Sequence, residues 1–277
     1  MLYPGLYEQV INNALNRELA EIPEARKSTA PIDTAEAAKV LAQYLADVVQ
    51  KGLENVQDNG GGIEAQIQLA NQIINTIQTT TEEADFAALG VDQRAEQLLA
   101  LLQQNDPRLA TGKSAKDLDR PETSIAQSSL FTGAIHEPQM YTELKKEIVS
   151  ADRIDMLVSF IKWSGLRLIM DELQQFAQSG GELRIITTSY MGATDVKAIE
   201  ELRALSNTKI KVSYDTKRTR LHAKTYVFYR DTGFTTAYVG SSNLSNAAIS
   251  SGLEWNVKVT RKDLPETIEK IAATFES

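Results

Sequence analysis

The sequence predicts an α/β domain, a mixed sheet flanked by helices, that follows an all-helical N-terminal region. Three observations lead to this prediction. Apolar residues recur at helical spacing through roughly the first hundred residues, a polar stretch follows, and short apolar runs then alternate with amphipathic segments. We place the boundaries at residues 1–106 for the helical region, 107–123 for a linker and 124–277 for the α/β domain.

The helical region is predicted from the spacing of its large aliphatic side chains. Ile11, Leu15 and Leu19 stand four residues apart and therefore share one face of a helix. Similar spacing returns at two further sets of positions: Leu41, Leu45 and Val49, and then Ile67, Ile74 and Ile77. The run 59–62 contains three glycines, and because glycine tolerates left-handed conformations, we interpret this run as a loop between helices.

The C-terminal half alternates between strand and helix patterns. We predict helices at residues 138–149, 165–178, 196–205 and 264–275, and strands at residues 154–161, 183–190, 209–214, 222–230, 235–240 and 253–260. Alternation at this spacing is typical of helices that pack on a largely parallel or mixed sheet.

Composition excludes several classes of protein. The chain of 277 residues contains no cysteine, which rules out disulfides and thiolate metal sites. No apolar run reaches the roughly 18–20 residues that a membrane span needs. The N-terminus also lacks a basic segment followed by an apolar one, so we expect no signal peptide. We therefore predict a cytoplasmic protein without a membrane partner.

The charge distribution limits how the chain can bind a polyanion. The formal net charge is −8, the opposite of what nucleic-acid binding predicts for a whole chain. Any such site must be a local patch, and one short stretch is rich in basic residues: Lys211, Lys217, Arg218, Arg220 and Lys224. The alternative is an ordinary solvated strand edge.

The residues with the clearest chemical potential surround His222. In a strand, alternate side chains share a face, so His222 and Lys224 point the same way. The next predicted strand ends in Gly240-Ser241-Ser242-Asn243, which offers neutral hydrogen-bonding groups at a strand end. Glu254 lies in a third predicted strand.

This set suits the cleavage of a phosphodiester. A neutral imidazole at His222 can attack phosphorus and form a covalent phosphohistidine, while Lys224 and Asn243 stabilise the developing charge. Glu254 is the best candidate to bind the other ring nitrogen and fix the tautomer. Because no acidic cluster has metal-site spacing, we expect neither a metal nor another cofactor.

His222-x-Lys224 followed by Gly240-Ser241-x-Asn243 resembles the signature of the phospholipase D superfamily. The later Glu254 resembles the acidic residue of its nuclease-like branch, which carries a single motif per chain. The segments 129–133, 159–165 and 187–192 are similar to the N-terminal phospholipase-D-like module of bacterial superfamily II (DEAD/DEAH-type) helicases. The resemblance implies that His222 is the nucleophile.

The same resemblance implies a role for each remaining site residue. Lys224, Ser241 and Asn243 are expected to bind phosphate, and Glu254 to orient His222. The superfamily's full motif has an aspartate five residues after the lysine, where this chain has Tyr229. Since the family chemistry uses two histidines and the chain has one such motif, we predict a homodimer that joins two copies of His222.

We therefore predict a metal-independent phosphodiesterase that acts on DNA and belongs to a larger helicase or restriction-type protein. Lys217, Arg218 and Arg220 are the candidates for backbone contacts. The alternative is a DNA-binding module with little or no catalysis, which Tyr229 and the acidic net charge favour. A lipid-headgroup phosphodiesterase is less favoured, because the chain shows no second motif and no membrane-binding amphipathic stretch.

The two tryptophans are further candidates for contact with bases. Trp163 and Trp255 could stack on nucleobases, although packing in or beside the core is the preferred role for both. His136, which precedes a predicted helix, is interpreted as a surface or capping residue.

Overall fold

The computed structural model describes residues 2–104, 106–134, 136–189, 192–214, 221–245 and 255–277. The chain divides into two compact units, Met1–Leu99 (unit 1) and Ala100–Ser277 (unit 2). The segment 107–123, predicted as a linker, contains the short helix Pro107–Ala110 and the 3-10 turn Ala115–Asp117. The exact domain boundaries stay a prediction.

Unit 1 is helical, in agreement with the predicted fold class. Its helices are α1 (Asn13–Ala20), α2 (Ala37–Asp58) and α3 (Ile63–Thr81). Asn12 caps α1, since its side chain accepts a hydrogen bond of 2.9 Å from Leu15 N. Ile67 of α3 is buried. Among the described residues of the whole chain, no helix is both long enough and apolar enough to cross a membrane.

Unit 2 contains six helices and seven strands among its described residues. The helices are α4 (Pro107–Ala110), α5 (Met140–Val149), α6 (Trp163–Leu166), α7 (Met170–Gln178), α8 (Val196–Arg203) and α9 (Pro265–Glu276). The strands are β1 (Ser129–Phe131), β2 (Arg153–Val158), β3 (Glu182–Thr188), β4 (Thr208–Ser213), β5 (Lys224–Tyr229), β6 (Thr236–Gly240) and β7 (Asn256–Thr260).

The seven strands form one mixed sheet, which confirms the predicted fold class. Their order is β1-β7-β6-β5-β2-β3-β4. The three strands β2, β3 and β4 run parallel to one another, and the remaining neighbours are antiparallel. As a result, the ends of β2, β3, β4 and β6 meet the beginnings of β5 and β7 at one edge of the sheet. We call this edge the site edge.

Helices cover the two faces of the sheet unequally. On one face, α5, α6, α7 and α8 enclose a large core that includes Leu144, Leu173, Met156 and Tyr226. On the other face, Ile268 of α9 packs on a smaller cluster formed by Val227, Ala237 and Val259. Alternating burial along each strand follows from this arrangement, because successive side chains point to opposite faces.

Several boundaries differ from the sequence prediction. The helix predicted over 165–178 is two helices, α6 and α7, and the edge strand β1 was not predicted. The end of α7 was correctly placed: Gly180 adopts φ +93° and Gly181 N donates to Phe176 O at 3.0 Å, as in a glycine-terminated helix. The strand predicted over 222–230 begins at Lys224, two residues after His222.

Candidate active site

His222 and Lys224 lie together at the site edge. The Nζ atom of Lys224 stands 3.0 Å from Nδ1 and 3.2 Å from Nε2 of His222, and it donates to the His222 carbonyl oxygen at 3.0 Å. The Lys224 ammonium lies at similar distances from both ring nitrogens. This contact therefore does not determine which nitrogen of His222 carries the proton. The His222 side chain is exposed, whereas Lys224 is 6% exposed. An accessible imidazole thus contacts a buried positive charge.

The pairing of strands explains why Lys224 is fixed. It begins β5 and stands opposite Val158, the last residue of β2. Ser159, the next residue after β2, is buried and donates from its hydroxyl to the Ala223 carbonyl oxygen at 3.4 Å. The segment that carries His222 is therefore tied to the end of a central strand, although His222 itself precedes β5.

Asn243 reaches the same place from the end of β6. Its Oδ1 atom accepts a hydrogen bond of 3.3 Å from Phe160 N, and its side chain is 8% exposed. Ser159 and Phe160 are consecutive, so Asn243 and the His222 segment are held by adjacent residues. An amide side chain that is tied to the end of the same central strand as the His222 segment has an NH₂ group that can donate to a phosphate oxygen.

The Gly240–Asn243 turn is held by β7. A Cβ atom on Gly240 would overlap the Trp255 carbonyl oxygen and lie 2.5 Å from Asn256 Oδ1, so only glycine fits this approach. Ser241 donates from its backbone nitrogen to Trp255 O at 3.2 Å, and its side chain is exposed. These contacts position the turn at the site edge.

Two side chains that the sequence interpretation did not single out support this turn. Asn256 Nδ2 donates to Ser242 Oγ at 2.7 Å, and the Tyr226 hydroxyl donates to Ser242 O at 3.0 Å. Both residues lie on strands that carry predicted site residues or their neighbours. Their spacing in the sequence, however, matches no recognisable motif. Strand pairing brings them to Ser242, since Asn256 opposes Gly240 and Tyr226 opposes Tyr238.

Lys162 and Trp163 are engaged by Asp195. The Asp195 carboxylate accepts from Trp163 N at 2.9 Å and from Lys162 Nζ at 3.1 Å. These hydrogen bonds, the backbone one first, hold the pKa of Asp195 below its usual range. Lys197 Nζ stands 4.4 Å from the centre of the Trp163 ring, which also packs against the larger core. Trp163 therefore packs beside the core, which is the role that the sequence favours.

Trp255 does not have the predicted core role. Its side chain is 64% exposed, and the residue lies just before β7. The prediction of core packing for Trp255 was wrong. His136 is exposed, as expected.

Several predicted site residues lie outside the part of the chain that the structure describes. These are Glu254 and the basic residues Lys217, Arg218 and Arg220, and their roles stay predictions. Of the remaining basic stretch, Lys211 is exposed on β4 and Lys224 belongs to the site edge. Within the described ranges, no group of three or more histidine or acidic residues is placed to hold a metal ion.

Tyr229, which occupies the position of the superfamily aspartate, lies at the opposite end of β5 from Lys224. Five residues of strand separate them, which is roughly 17 Å. Arg153 stacks on the Tyr229 ring, with Cζ 3.8 Å from the ring centre. Asp231, the nearby acidic residue, is exposed in the turn after β5. Neither residue can touch a phosphate that is bound at His222.

A buried ionic cluster stands between α5 and the sheet. Glu147 of α5 accepts from Arg230 Nη2 at 2.6 Å and from Lys258 Nζ at 2.9 Å, and it also accepts from the hydroxyls of Thr236 and Tyr238. Burial alone raises the pKa of Glu147, but the two cations outweigh it and the pKa lies below its usual value. This cluster stabilises the sheet rather than contacting His222.

One family model matches slightly less than half of the chain. Residues 144–277 match the family model described as "Cardiolipin synthase, PLD-like domain". The match supports a phospholipase-D-like fold for this part of the chain, with the mixed sheet that the sequence predicted. No curated protein matches the chain.

Several solved structures are similar to this chain in fold, at low sequence identity. NucT from Helicobacter pylori is 21% identical, with 54% of this chain and 93% of that chain covered and a TM-score of 0.43. The phospholipase D family member Nuc from Salmonella typhimurium is 22% identical, with the same coverages and a TM-score of 0.41. Yeast tyrosyl-DNA phosphodiesterase is 14% identical, with 48% and 31% covered and a TM-score of 0.32.

Proposed function

We propose that the protein is a metal-independent phosphodiesterase that cleaves DNA through a covalent phosphohistidine at His222. The observation that carries this proposal is the contact of 3.0–3.2 Å between Lys224 Nζ and the His222 ring. An exposed imidazole next to a fixed ammonium offers both the nucleophile and the positive charge that a phosphodiester requires.

The reaction proceeds in two steps. A ring nitrogen of His222 attacks phosphorus, the bond from phosphorus to the leaving oxygen breaks, and a second histidine donates a proton to that oxygen. Water then attacks phosphorus and gives its proton to the second histidine. The bond between phosphorus and His222 breaks, which releases a phosphomonoester and the free imidazole. Lys224, Ser241 and Asn243 hold the non-bridging oxygens, and Glu254 orients the ring of His222.

The second histidine comes from a second copy of the chain. The chain has two histidines, and His136 follows β1, which is three strand spacings from β5. Three spacings correspond to roughly 14 Å, and His136 has no lysine two residues later to match the His222-x-Lys224 motif. We therefore propose a homodimer in which two His222 rings face one another.

The distribution of charge supports a nucleic-acid substrate despite the acidic total. Residues 1–99 contain 6 basic and 15 acidic residues, a net charge of −9. The remaining residues contain 23 basic and 22 acidic residues, a net charge of +1. The acidity belongs to unit 1, so the phospholipase-D-like unit does not repel a polyanion, and Lys217, Arg218 and Arg220 are its proposed backbone contacts.

A nuclease assay in the presence of a chelator tests the proposal. Wild-type protein should cleave labelled DNA, whereas His222→Ala should abolish cleavage and His136→Ala should not alter it. After quenching at alkaline pH, which preserves phosphohistidine, labelled phosphate should remain on the wild type only. Cleavage by His222→Ala at the wild-type rate would refute the mechanism, and loss of cleavage in His136→Ala would refute the two-chain site.

The second candidate is a DNA-binding module with little or no catalysis. Tight binding without cleavage by either the wild type or His222→Ala would favour it. A fall in DNA affinity with rising salt concentration would show contacts with phosphates, for an enzyme and for a binding module alike. Membership of a larger helicase or restriction-type protein and a cytoplasmic location are further proposals, which rest on the resemblance and on the cysteine-free sequence.

A further inference from the structure

Three consecutive residues that follow β2 hold the chain around Asn243. Phe160 N donates to Asn243 Oδ1 at 3.3 Å. The next two residues contact Leu244, first through a parallel β-bridge and then through a hydrogen bond of 2.9 Å from Lys162 N to the Leu244 carbonyl oxygen. We call residues 160–162 the supporting segment. Because an amide group is planar, a fixed Oδ1 atom restricts the direction in which the Asn243 NH₂ group can donate.

Asp195, which lies in the loop after β3, binds the supporting segment and the residue that follows it. Its backbone nitrogen donates to Ile161 O at 2.9 Å, and one carboxylate oxygen accepts from Lys162 Nζ at 3.1 Å. The other carboxylate oxygen accepts from Trp163 N at 2.9 Å. Asp195 therefore connects the loop after β3 to the segment that fixes the Asn243 side chain.

The Asp195 carboxylate also provides the cap that α6 lacks. Trp163 is the first residue of α6, where backbone N–H groups have no acceptor within the helix. Lys162, at the N-cap position, makes no capping hydrogen bond, because a lysine side chain carries no acceptor. Helix α6 packs closely on the chain just beyond Asn243, since a Cβ atom on Gly165 would lie 2.5 Å from the backbone of the second residue after it. A shift of α6 would therefore disturb the chain that carries Asn243.

Resting on the proposed function, we propose that Asp195 is a positioning residue for the cleavage reaction, which keeps the Asn243 NH₂ group directed at the substrate phosphate. Asp195 is not expected to touch the phosphate itself, because both of its carboxylate oxygens accept hydrogen bonds and its negative charge would repel an anion. Its influence reaches Asn243 through the supporting segment and α6. A displacement of about 1 Å in a group that stabilises the transition state can lower the rate about 10²-fold.

Three variants test this role by the single-turnover cleavage rate at saturating DNA. Asp195→Ala removes both acceptor oxygens and should lower the rate about 10- to 100-fold. Asp195→Asn keeps an acceptor for Trp163 N and loses only the ion pair with Lys162, which is partly exposed, so its rate should stay within about fivefold of wild type. Asp171→Ala is the matched control at an exposed position of α7, with a rate within about twofold of wild type.

A double-mutant cycle with Asn243→Ala separates positioning from a general structural role. If Asp195 acts through the Asn243 amide, Asp195→Ala should change the rate by less than about twofold once that amide is absent. A general weakening of the fold would lower the rate by the same factor whether or not Asn243 is present, and that result would overturn the proposal. A rate for Asp195→Ala equal to that of Asp171→Ala would also overturn it.

Circular dichroism shows whether each variant folds. If Asp195→Ala does not fold, Asp195→Ser takes its place, because one short hydroxyl cannot accept from both Trp163 N and Lys162 Nζ. The same fall in rate, and the same dependence on Asn243, are then expected of Asp195→Ser.

Hydrogen exchange measured by mass spectrometry does not depend on cleavage, so the two proposals can fail separately. Peptides that cover residues 241–245 should exchange about fivefold faster in Asp195→Ala than in wild type, the effect of about one lost hydrogen bond, and should be unchanged in Asp171→Ala. Faster exchange with no cleavage by wild type would leave the role of Asp195 standing and refute the proposed chemistry. Unchanged exchange in a protein that cleaves DNA would refute the role of Asp195 and leave His222 as the nucleophile.

Discussion

Replacing Glu147 by glutamine removes a fully buried negative charge from between Arg230 and Lys258. Glutamine keeps the size of the side chain and one acceptor oxygen, but Arg230 loses the charge that compensates for its burial. Lys258 keeps only the more distant carboxylate of Glu143, at 3.8 Å. Removal of one partner from a buried ion pair typically costs about 3–5 kcal/mol. For a unit of this size, each kcal/mol lowers Tm by about 2–4 °C, so we expect a fall of about 6–20 °C.

The dependence on pH provides a second readout of the same change. Because folding lowers the pKa of Glu147 from its ordinary value of 4.5, its ionisation stabilises the protein above that pH. This contribution is lost as the pH falls through the lower pKa of the folded state. The difference in Tm between wild type and Glu147→Gln should therefore be constant near neutral pH and shrink below about pH 4.5.

Thermal unfolding followed by circular dichroism measures both effects. Glu200→Gln is the matched control, because it makes the same substitution at an exposed position of α8. A surface change of this kind is expected to stay within about 0.5 kcal/mol of wild type. If Glu147→Gln unfolds at the same temperature as Glu200→Gln, the ionic cluster does not stabilise the sheet as argued.

Two further changes test the geometry of the site edge. Gly240→Ala should lower the cleavage rate by about 10²-fold, because its Cβ would push against the Trp255 carbonyl oxygen and displace the turn that carries Asn243; single-turnover kinetics measures this, and an unchanged rate would contradict it. Tyr229→Phe should leave the rate within about twofold of wild type, since roughly 17 Å of strand separates it from Lys224; a large loss in the same assay would show that position 229 acts on the site.

Much of unit 2 could be predicted because its pattern is local. Residues two apart on an extended chain share a direction, so the contact between His222 and Lys224 was anticipated even though β5 begins only at Lys224. Dense apolar runs likewise located β2 and β3 within a few residues. The edge strand β1 was missed because three residues are too few to show a period.

Long-range features could not be predicted from spacing. Glu147, Arg230 and Lys258 are distributed over α5, the turn after β5 and β7, and only the fold brings them together. Trp255 was expected in the core because it neighbours Glu254 and would face away from it, but its side chain is 64% exposed. The apolar period across 165–178 also continues through the break between α6 and α7, so a single helix was predicted.

Two features of the sequence favoured a binding module over an enzyme, and both lose weight in the structure. Tyr229 occupies the far end of β5, where an aspartate could not touch the phosphate either. The acidic net charge belongs to residues 1–99, and the phospholipase-D-like unit is close to neutral. The property that still distinguishes an enzyme from a binding module is the number of histidines that act on one phosphate. Since a single His222 can attack but cannot also protonate the leaving oxygen, oligomeric state separates an enzyme from a binding module more directly than any other property of this chain.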